Sequence, residues 1–321
     1  MRLDFDKIRE LTVGAVNIEK TPDGIHFFKC TRQQTDGFYA FSKDLGDRSL
    51  TTTGVRLDFH TNSKNMKFRA SSGAKFELLI DGLLRAQYKS EDGSKIEVSA
   101  PLCDTVGSYP EDVRVTLVFP SHREVGVLDY IELDDGAYAI PHKFDKNFLF
   151  IGDSITQGWQ TEYDTRSFAW RISLHYNAAS VINGIGGAFF HKSVFDKIDF
   201  KPDTVFVAYG TNDWGRFPDD AVFETNVREF LDLVRDEYSY AKVFVISPIW
   251  RAKADGSLMG ERFDKRRKFI EEYAKTCGLI PVSGLLMVPP IDDCFADRYL
   301  HPNDFGFGYY YENLVKVIDN N

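Results

Sequence analysis

The sequence predicts an α/β fold over its second half, a parallel sheet covered on both faces by helices, with an antiparallel β-sandwich ahead of it. Three observations predict this. Apolar residues tend to alternate from Gly24 to about Ile140, and period two over short runs marks half-buried antiparallel strands. Beyond residues 141–146 the pattern changes to continuous apolar runs separated by helical ones, as parallel strands buried on both faces require. The chain has 321 residues, about twice the usual domain length, so each half is long enough to enclose a core. The division adopted is residues 1–145 and 146–321, with a linker at 141–146.

In the first half the alternating sets are Val55, Leu57 and Phe59; Met66, Phe68 and Ala70; Phe76, Leu78 and Ile80; and Val113, Val115, Leu117 and Phe119. Turns are expected at Gly73, Asp81-Gly82 and Asp92-Gly93, and no long helix is expected between the strands. Two facing sheets are how such strands bury their apolar faces, which points to a sandwich of jelly-roll type. In the second half the strands are Phe148–Ile151, Val181-Ile182, Thr204–Tyr209, Val243–Ile246 and Leu279–Val282. The clearest helix lies between the third and fourth, with Val222, Phe223, Val227, Phe230, Leu231 and Val234 on one stripe.

A net charge of −9 argues against nucleic acid or an anionic membrane as the main partner, since both are gripped by clustered Lys and Arg. The run Lys265-Arg266-Arg267 falls in a helical pattern and reads as a solvated face. Cys30, Cys103, Cys277 and Cys294 are widely spaced, without metal-ligand spacing, and read as free thiols. The first residues lack the apolar core of a secretory signal, so a cytoplasmic location is expected.

Chemistry concentrates in four polar clusters placed where strands end, and in a parallel sheet the carboxyl ends of the strands are where ligands bind. Gly152-Asp153-Ser154-Ile155-Thr156-Gln157-Gly158 follows the first strand and would stand a serine hydroxyl on a tight turn near backbone amides. Asn183-Gly184-Ile185-Gly186-Gly187 follows the second; its glycines let a backbone amide approach a substrate oxygen, or simply make a turn. Gly210-Thr211-Asn212-Asp213 follows the third, and the Asn212 amide can donate to an oxyanion or form an Asx turn. The fourth, Asp297 to Asp304, contains His301, the only histidine combining an upstream carboxylate, a following Pro turn and a place near the end of the α/β half. The other six histidines read as structural or solvated. An early serine, a late histidine with a carboxylate before it, and two oxyanion donors between are the set that acyl transfer needs.

These blocks resemble those of the SGNH, or GDSL-type, hydrolase superfamily: Gly-Asp-Ser with a following Thr, a Gly after the second strand, Gly-Thr-Asn-Asp, and His followed by Pro-Asn-Asp, over roughly residues 147–321. The resemblance implies a flavodoxin-like three-layer fold and a serine esterase with Ser154 as nucleophile and His301 as base. It also implies an oxyanion hole of the Ser154 and Gly187 amides with the Asn212 side chain, and no metal or organic cofactor. The family's catalytic Asp usually stands three residues before the His. Here Asp297 is four before, with Arg298 at the expected place, so Asp297, Asp293 or a backbone carbonyl remain candidates to orient the ring.

A sandwich ahead of such a domain resembles a group of carbohydrate acetyl esterases, which implies an acylated oligosaccharide or small molecule as substrate, with Trp214 and Trp250 available to stack on a sugar. A lipid or thioester acyl hydrolase, or a non-catalytic glycan-binding protein, is the alternative.

Overall fold

The computed structural model describes residues 1–71, 75–90, 94–102, 111–122, 124–252 and 260–321. The turns expected at Gly73 and Asp92-Gly93, and Cys103, lie outside them.

The first half folds into β1 (Thr12–Val13), β2 (Asn17–Thr21), β3 (Gly24–Phe28), β4 (Arg56–Thr61), β5 (Asn65–Ala70), β6 (Phe76–Ile80), β7 (Leu83–Tyr88), β8 (Ile96–Pro101), β9 (Val113–Val118), β10 (Val127–Leu133) and β11 (Ile140–Pro141). They form two antiparallel sheets, ordered β1-β4-β9-β6-β7, with β11 also on β4, and β2-β3-β10-β5-β8. If β3 to β10 are numbered one to eight, the sheets contain 2-7-4-5 and 1-8-3-6, the connectivity of a jelly roll. The predicted alternation is what fills it: Leu57, Phe59, Met66, Phe68, Ala70, Phe76, Leu78, Val115 and Leu117 meet in one core.

The expectation that no long helix interrupts these strands is wrong between β3 and β4. Besides α1 (Phe5–Leu11), the first half holds α2 (Arg32–Phe41) and α3 (Lys43–Ser49). Thr31 caps α2 in a box with Gln34, and the Ser42 side chain caps α3. Phe38 and Leu45 of this helical insertion pack with Val181, Ile185 and Phe189, in the core of the second half.

That half contains β12 (Lys146–Gly152), β13 (Ala178–Gly184), β14 (Thr204–Ala208), β15 (Lys242–Ile246) and β16 (Ile280–Val282), all parallel, in the order β13-β12-β14-β15-β16. Its helices are α4 (Ser154–Gln157), α5 (Phe168–His175), α6 (Asp213–Arg216), α7 (Asp220–Glu237), α8 (Glu261–Thr276) and α9 (Asp304–Asp319). The apolar runs divide by parity. Leu149, Ile151, Val205, Val207, Val243 and Val245 face α7 and α8, with Phe230, Leu231 and Ile270. Phe148, Phe150, Phe206, Phe244 and Ile246 face α5 and α9, with Phe168, Phe307, Tyr310 and Leu314. Val222, placed on the α7 stripe by spacing, is exposed.

The sandwich also closes onto this layer. Period two sends Leu57 and Phe59 of β4 inward and Arg56 and Asp58 to the opposite face, where both are buried. Arg56 Nη2 donates to the Ala178 carbonyl at 2.9 Å and Nη1 to Ser180 Oγ at 3.2 Å, while Arg114 grips Asp58 with two bonds of 2.8 Å. The basic run on α8 corrects another expectation: Lys265 is exposed, but Arg266 and Arg267 are buried. Arg266 donates to Asp220 and to the carbonyls of Asp213 and Phe217, and Arg267 to Glu271. Among the described residues no helix is long and apolar enough to cross a membrane.

The sheet order is that of the doubly wound flavodoxin-like fold, whose chain reverses direction on the two sides of its first strand. Here that strand is β12, between β13 and β14. The crevice therefore opens at its carboxyl end, where Ser154 begins.

Candidate active site

Ser154 heads the one-turn helix α4. Asp153 caps it, its Oδ1 accepting from the Ile155 amide at 2.9 Å, and Gly158 ends it in the left-handed region at φ +81°. The serine is mostly covered, with 6 % of its surface exposed, and Oγ lies 2.9 Å from His301 Nε2. Burial pushes the Asp153 carboxyl up to about 6, against the Ile155 amide and the nearby charges of His301 and Arg251.

His301 comes from the loop before α9, and its Nδ1 lies 2.6 Å from Asp297 Oδ2. The loop absorbs the extra residue through Arg298, which takes the left-handed conformation at φ +63°. Its mouth is closed by antiparallel pairing of Phe295 with Pro302 and by the Ala296 amide donating to the His301 carbonyl at 2.9 Å. Asp297 Oδ1 accepts from the amides of Tyr299, Leu300 and His301 at 3.1, 2.8 and 3.0 Å, so the carboxylate holds the backbone with one oxygen and the imidazole with the other. Burial pushes its pKa up, but the bonds from His301 and from the three amides outweigh that and hold it well below the usual range. Of the candidates left open by the spacing, Asp297 is the one that faces the ring; the Asp293 carbonyl instead accepts from Asn303. An ionised Asp297 accepting from Nδ1 leaves Nε2 free to take a proton from Ser154.

The second cluster forms a turn in which the Ala188 amide donates to the Ile185 carbonyl at 3.0 Å and Gly187 has φ +87°. Positive φ at the third position is what a type II turn demands, and glycine adopts it without strain. The Ile185 and Gly186 amides donate to the Gly152 carbonyl and to Gln157 Oε1. Among the described residues no acceptor stands on the Gly187 amide, and Gly187 is the one residue from Val181 to Phe190 that is not buried. Asn212 is half-buried, and its Nδ2 donates to the Ala188 carbonyl at 3.0 Å, which ties the third cluster to the second.

The two tryptophans part company. Trp250 packs on Phe295 at 5.0 Å between ring centres, two residues before Asp297. Trp214 packs on α8, its ring against Phe263 and under Arg262 and Arg266, and among the described residues no ring contact joins it to His301. Sequence reasoning passed over Trp159, whose ring centre is 6.4 Å from that of His301. His122, read from the sequence as structural or solvated, is supplied by the sandwich from the segment between β9 and β10. The His122 ring lies against Trp159 at 5.4 Å and its Nε2 donates to the Gly158 carbonyl at 3.0 Å. The available signal was local: Trp159 directly follows the Ser154 cluster.

Residues 150–308 match the model of the GDSL-like lipase/acylhydrolase family. None of the curated proteins matches the chain significantly. Among solved structures, a salicylyl-acyltransferase from a tetracycline biosynthetic pathway superposes with a TM-score of 0.79 at 17 % identity, over 96 % of this chain and 94 % of that one. A family two carbohydrate esterase from Clostridium thermocellum in complex with cellohexaose gives 0.68 at 16 % identity, over 96 % and 98 %. An acetyl xylan esterase from the rumen bacterium Butyrivibrio proteoclasticus gives 0.60 at 14 % identity, over 84 % and 92 %. At these identities the likeness to solved structures speaks for the fold, while the family match speaks for the site-bearing half. Residues 150–308 form a GDSL-like lipase/acylhydrolase domain of SGNH type behind a β-sandwich, and the protein is a carboxylic ester hydrolase.

Proposed function

We propose that the protein is a serine esterase that removes short acyl groups, acetyl first among them, from carbohydrate esters. The observation that carries the reading is the hydrogen-bonded series from Asp297 to His301 at 2.6 Å and from His301 to Ser154 at 2.9 Å. In the proposed reaction His301 Nε2 takes the Ser154 proton as Oγ attacks the ester carbonyl. The tetrahedral oxyanion accepts hydrogen bonds from the Ser154 and Gly187 amides and from Asn212. Its collapse breaks the ester bond, His301 returns the proton to the leaving alkoxide, and the acyl group stays on Ser154. A water molecule then gives its proton to His301 as it attacks the acyl carbon, and His301 passes that proton to Ser154 Oγ as the acid leaves.

The acetylated-sugar substrate is supported by the names of two neighbours, an acetyl xylan esterase and a carbohydrate esterase holding cellohexaose, which share the two-part architecture. Hydrolysis of p-nitrophenyl acetate, butyrate and octanoate by the wild type and by Ser154→Ala tests both parts. Turnover that is abolished in the variant and falls with chain length is the expected result, to be followed by acetylated oligosaccharides. A preference for octanoate would replace the sugar ester with a lipid or thioester substrate. Glycan binding without turnover of any ester would make the domain a binding module.

A further inference from the structure

We infer that Arg48, carried by α3 from the sandwich half of the chain, is a positioning residue that aims the Gly187 amide at the oxyanion. The inference rests on the proposed role of that amide. Arg48 Nη1 donates to the Gly186 carbonyl at 2.9 Å. The peptide joining Gly186 to Gly187 is trans, so its C=O and N–H point in opposite directions, and gripping the carbonyl turns the Gly187 N–H away from Arg48. Gln157 fixes the preceding peptide, its Oε1 accepting from the Gly186 amide at 2.9 Å. The turn is thus held from both sides.

The two clamps share a buried frame. Gln157 Nε2 donates to the His122 carbonyl at 2.6 Å and reaches Thr51 and Thr53 Oγ1 at 3.3 and 3.4 Å. Lys29, fully buried, donates to the same two hydroxyls and to the Arg48 carbonyl. Arg48 is further tethered by Asp44 on its own helix.

One detail separates geometry from stability as the role of this arginine. Its Nε is buried and, among the described residues, has no acceptor, and an unsatisfied buried donor is destabilising. An apolar side chain of similar length would remove that cost, yet it would release the Gly186 carbonyl and let the turn rotate. The helix that delivers Arg48 belongs to the insertion between β3 and β4, so the sandwich half completes the site's geometry without touching the reacting atoms.

The test compares wild type, Arg48→Met, Arg48→Lys and Ser154→Ala on p-nitrophenyl acetate, with phenylboronic acid as the tetrahedral-anion mimic. Arg48→Met should keep its thermal midpoint within a few degrees, hold KM within about twofold, and lose about 10- to 100-fold in kcat, the scale of a misplaced donor. Its affinity for the boronic acid should fall by a similar factor. Arg48→Lys should recover part of both, since an ammonium reaches the carbonyl without the planar fork. If Arg48→Met fails to fold, the lysine variant carries the test, with a several-fold loss in kcat at unchanged KM. A folded variant with kcat within twofold of wild type, or a loss confined to KM, overturns the inference. Full turnover by Ser154→Ala would instead overturn the reading of the site on which it rests, so the two failures are distinguishable.

Discussion

Exchanging Asp297 for Asn replaces one carboxylate oxygen with an NH2 group, and the loop dictates where that group goes. Oδ1 accepts from three backbone amides and Oδ2 from one imidazole nitrogen. An NH2 turned toward the backbone would face three donors, forfeiting three hydrogen bonds of about 1 kcal/mol each. Turned toward His301, it forfeits one. The amide therefore settles with its oxygen on the backbone and its NH2 on Nδ1, which must then accept, moving the ring proton to Nε2. That nitrogen can no longer take the Ser154 proton. A wrong tautomer in an otherwise intact site lowers kcat by roughly a thousand- to ten-thousandfold, about 4 to 5.5 kcal/mol of barrier. Stability should fall by only about 1 to 3 kcal/mol, the worth of one bond to a charged group. The assay is kcat for p-nitrophenyl acetate beside a urea titration. Asp297→Ala, which loses all four bonds, should also loosen the loop and destabilise the protein more. Retention of more than about a tenth of wild-type kcat by Asp297→Asn would refute the reasoning.

Three further predictions follow from the buried charges and the loop. Asp213 is fully buried and burial pushes its pKa up to about 8, whereas the unfolded carboxyl ionises near 3.8. The unfolded state then binds fewer protons between pH 4 and 8, so this group's contribution to stability falls as pH rises through that window. Asp213→Asn, isosteric with the neutral acid, should stabilise the protein at pH 8 by roughly 2 to 4 kcal/mol and leave it unaffected at pH 4; equal urea midpoints at pH 8 would count against it. Arg56→Ala should cost about 3 to 5 kcal/mol, because it strips the bonds between β4 and β13 and removes one of the two arginines that face the buried Asp58 carboxylate; a loss under 1 kcal/mol by urea titration would contradict this. Arg298→Gly should leave kcat unchanged and raise stability by up to about 1 kcal/mol, since glycine takes φ +63° without strain; a fall in thermal midpoint would contradict it.

The second half of the fold was legible because β12 to β16 are covered on both faces, which leaves uninterrupted apolar runs in the sequence. The candidate site was legible for a related reason: Ser154, Gly187 and Asn212 each follow closely on the end of one of those runs, where the fold places its crevice. The helical insertion was not legible. Only Gln34 and Phe38 of α2 and Leu45, Gly46 and Ser49 of α3 are buried, too few apolar positions to show a helical period, and Gly37 and Gly46 lower the propensity further. Its one clear signal was the Thr31 to Gln34 capping box. The burial of Arg56, Asp58 and Arg266 was hidden because each is compensated by partners distant in sequence, Ala178, Arg114 and Asp220 among them. The Asp297 spacing was ambiguous because one residue in the left-handed region, Arg298, alters the reach of a loop without altering its composition.

The most direct test of the central claim, that Ser154 attacks and holds the acyl group, is covalent capture. The protein is incubated with diethyl p-nitrophenyl phosphate, and its intact mass and peptide map are measured for wild type, Ser154→Ala and His301→Ala. The account predicts one diethylphosphoryl group per chain, on Ser154, with loss of esterase activity in proportion, no adduct in Ser154→Ala and much slower labelling in His301→Ala. An adduct on any other residue that tracks the loss of activity, or unchanged ester turnover by Ser154→Ala, would contradict it.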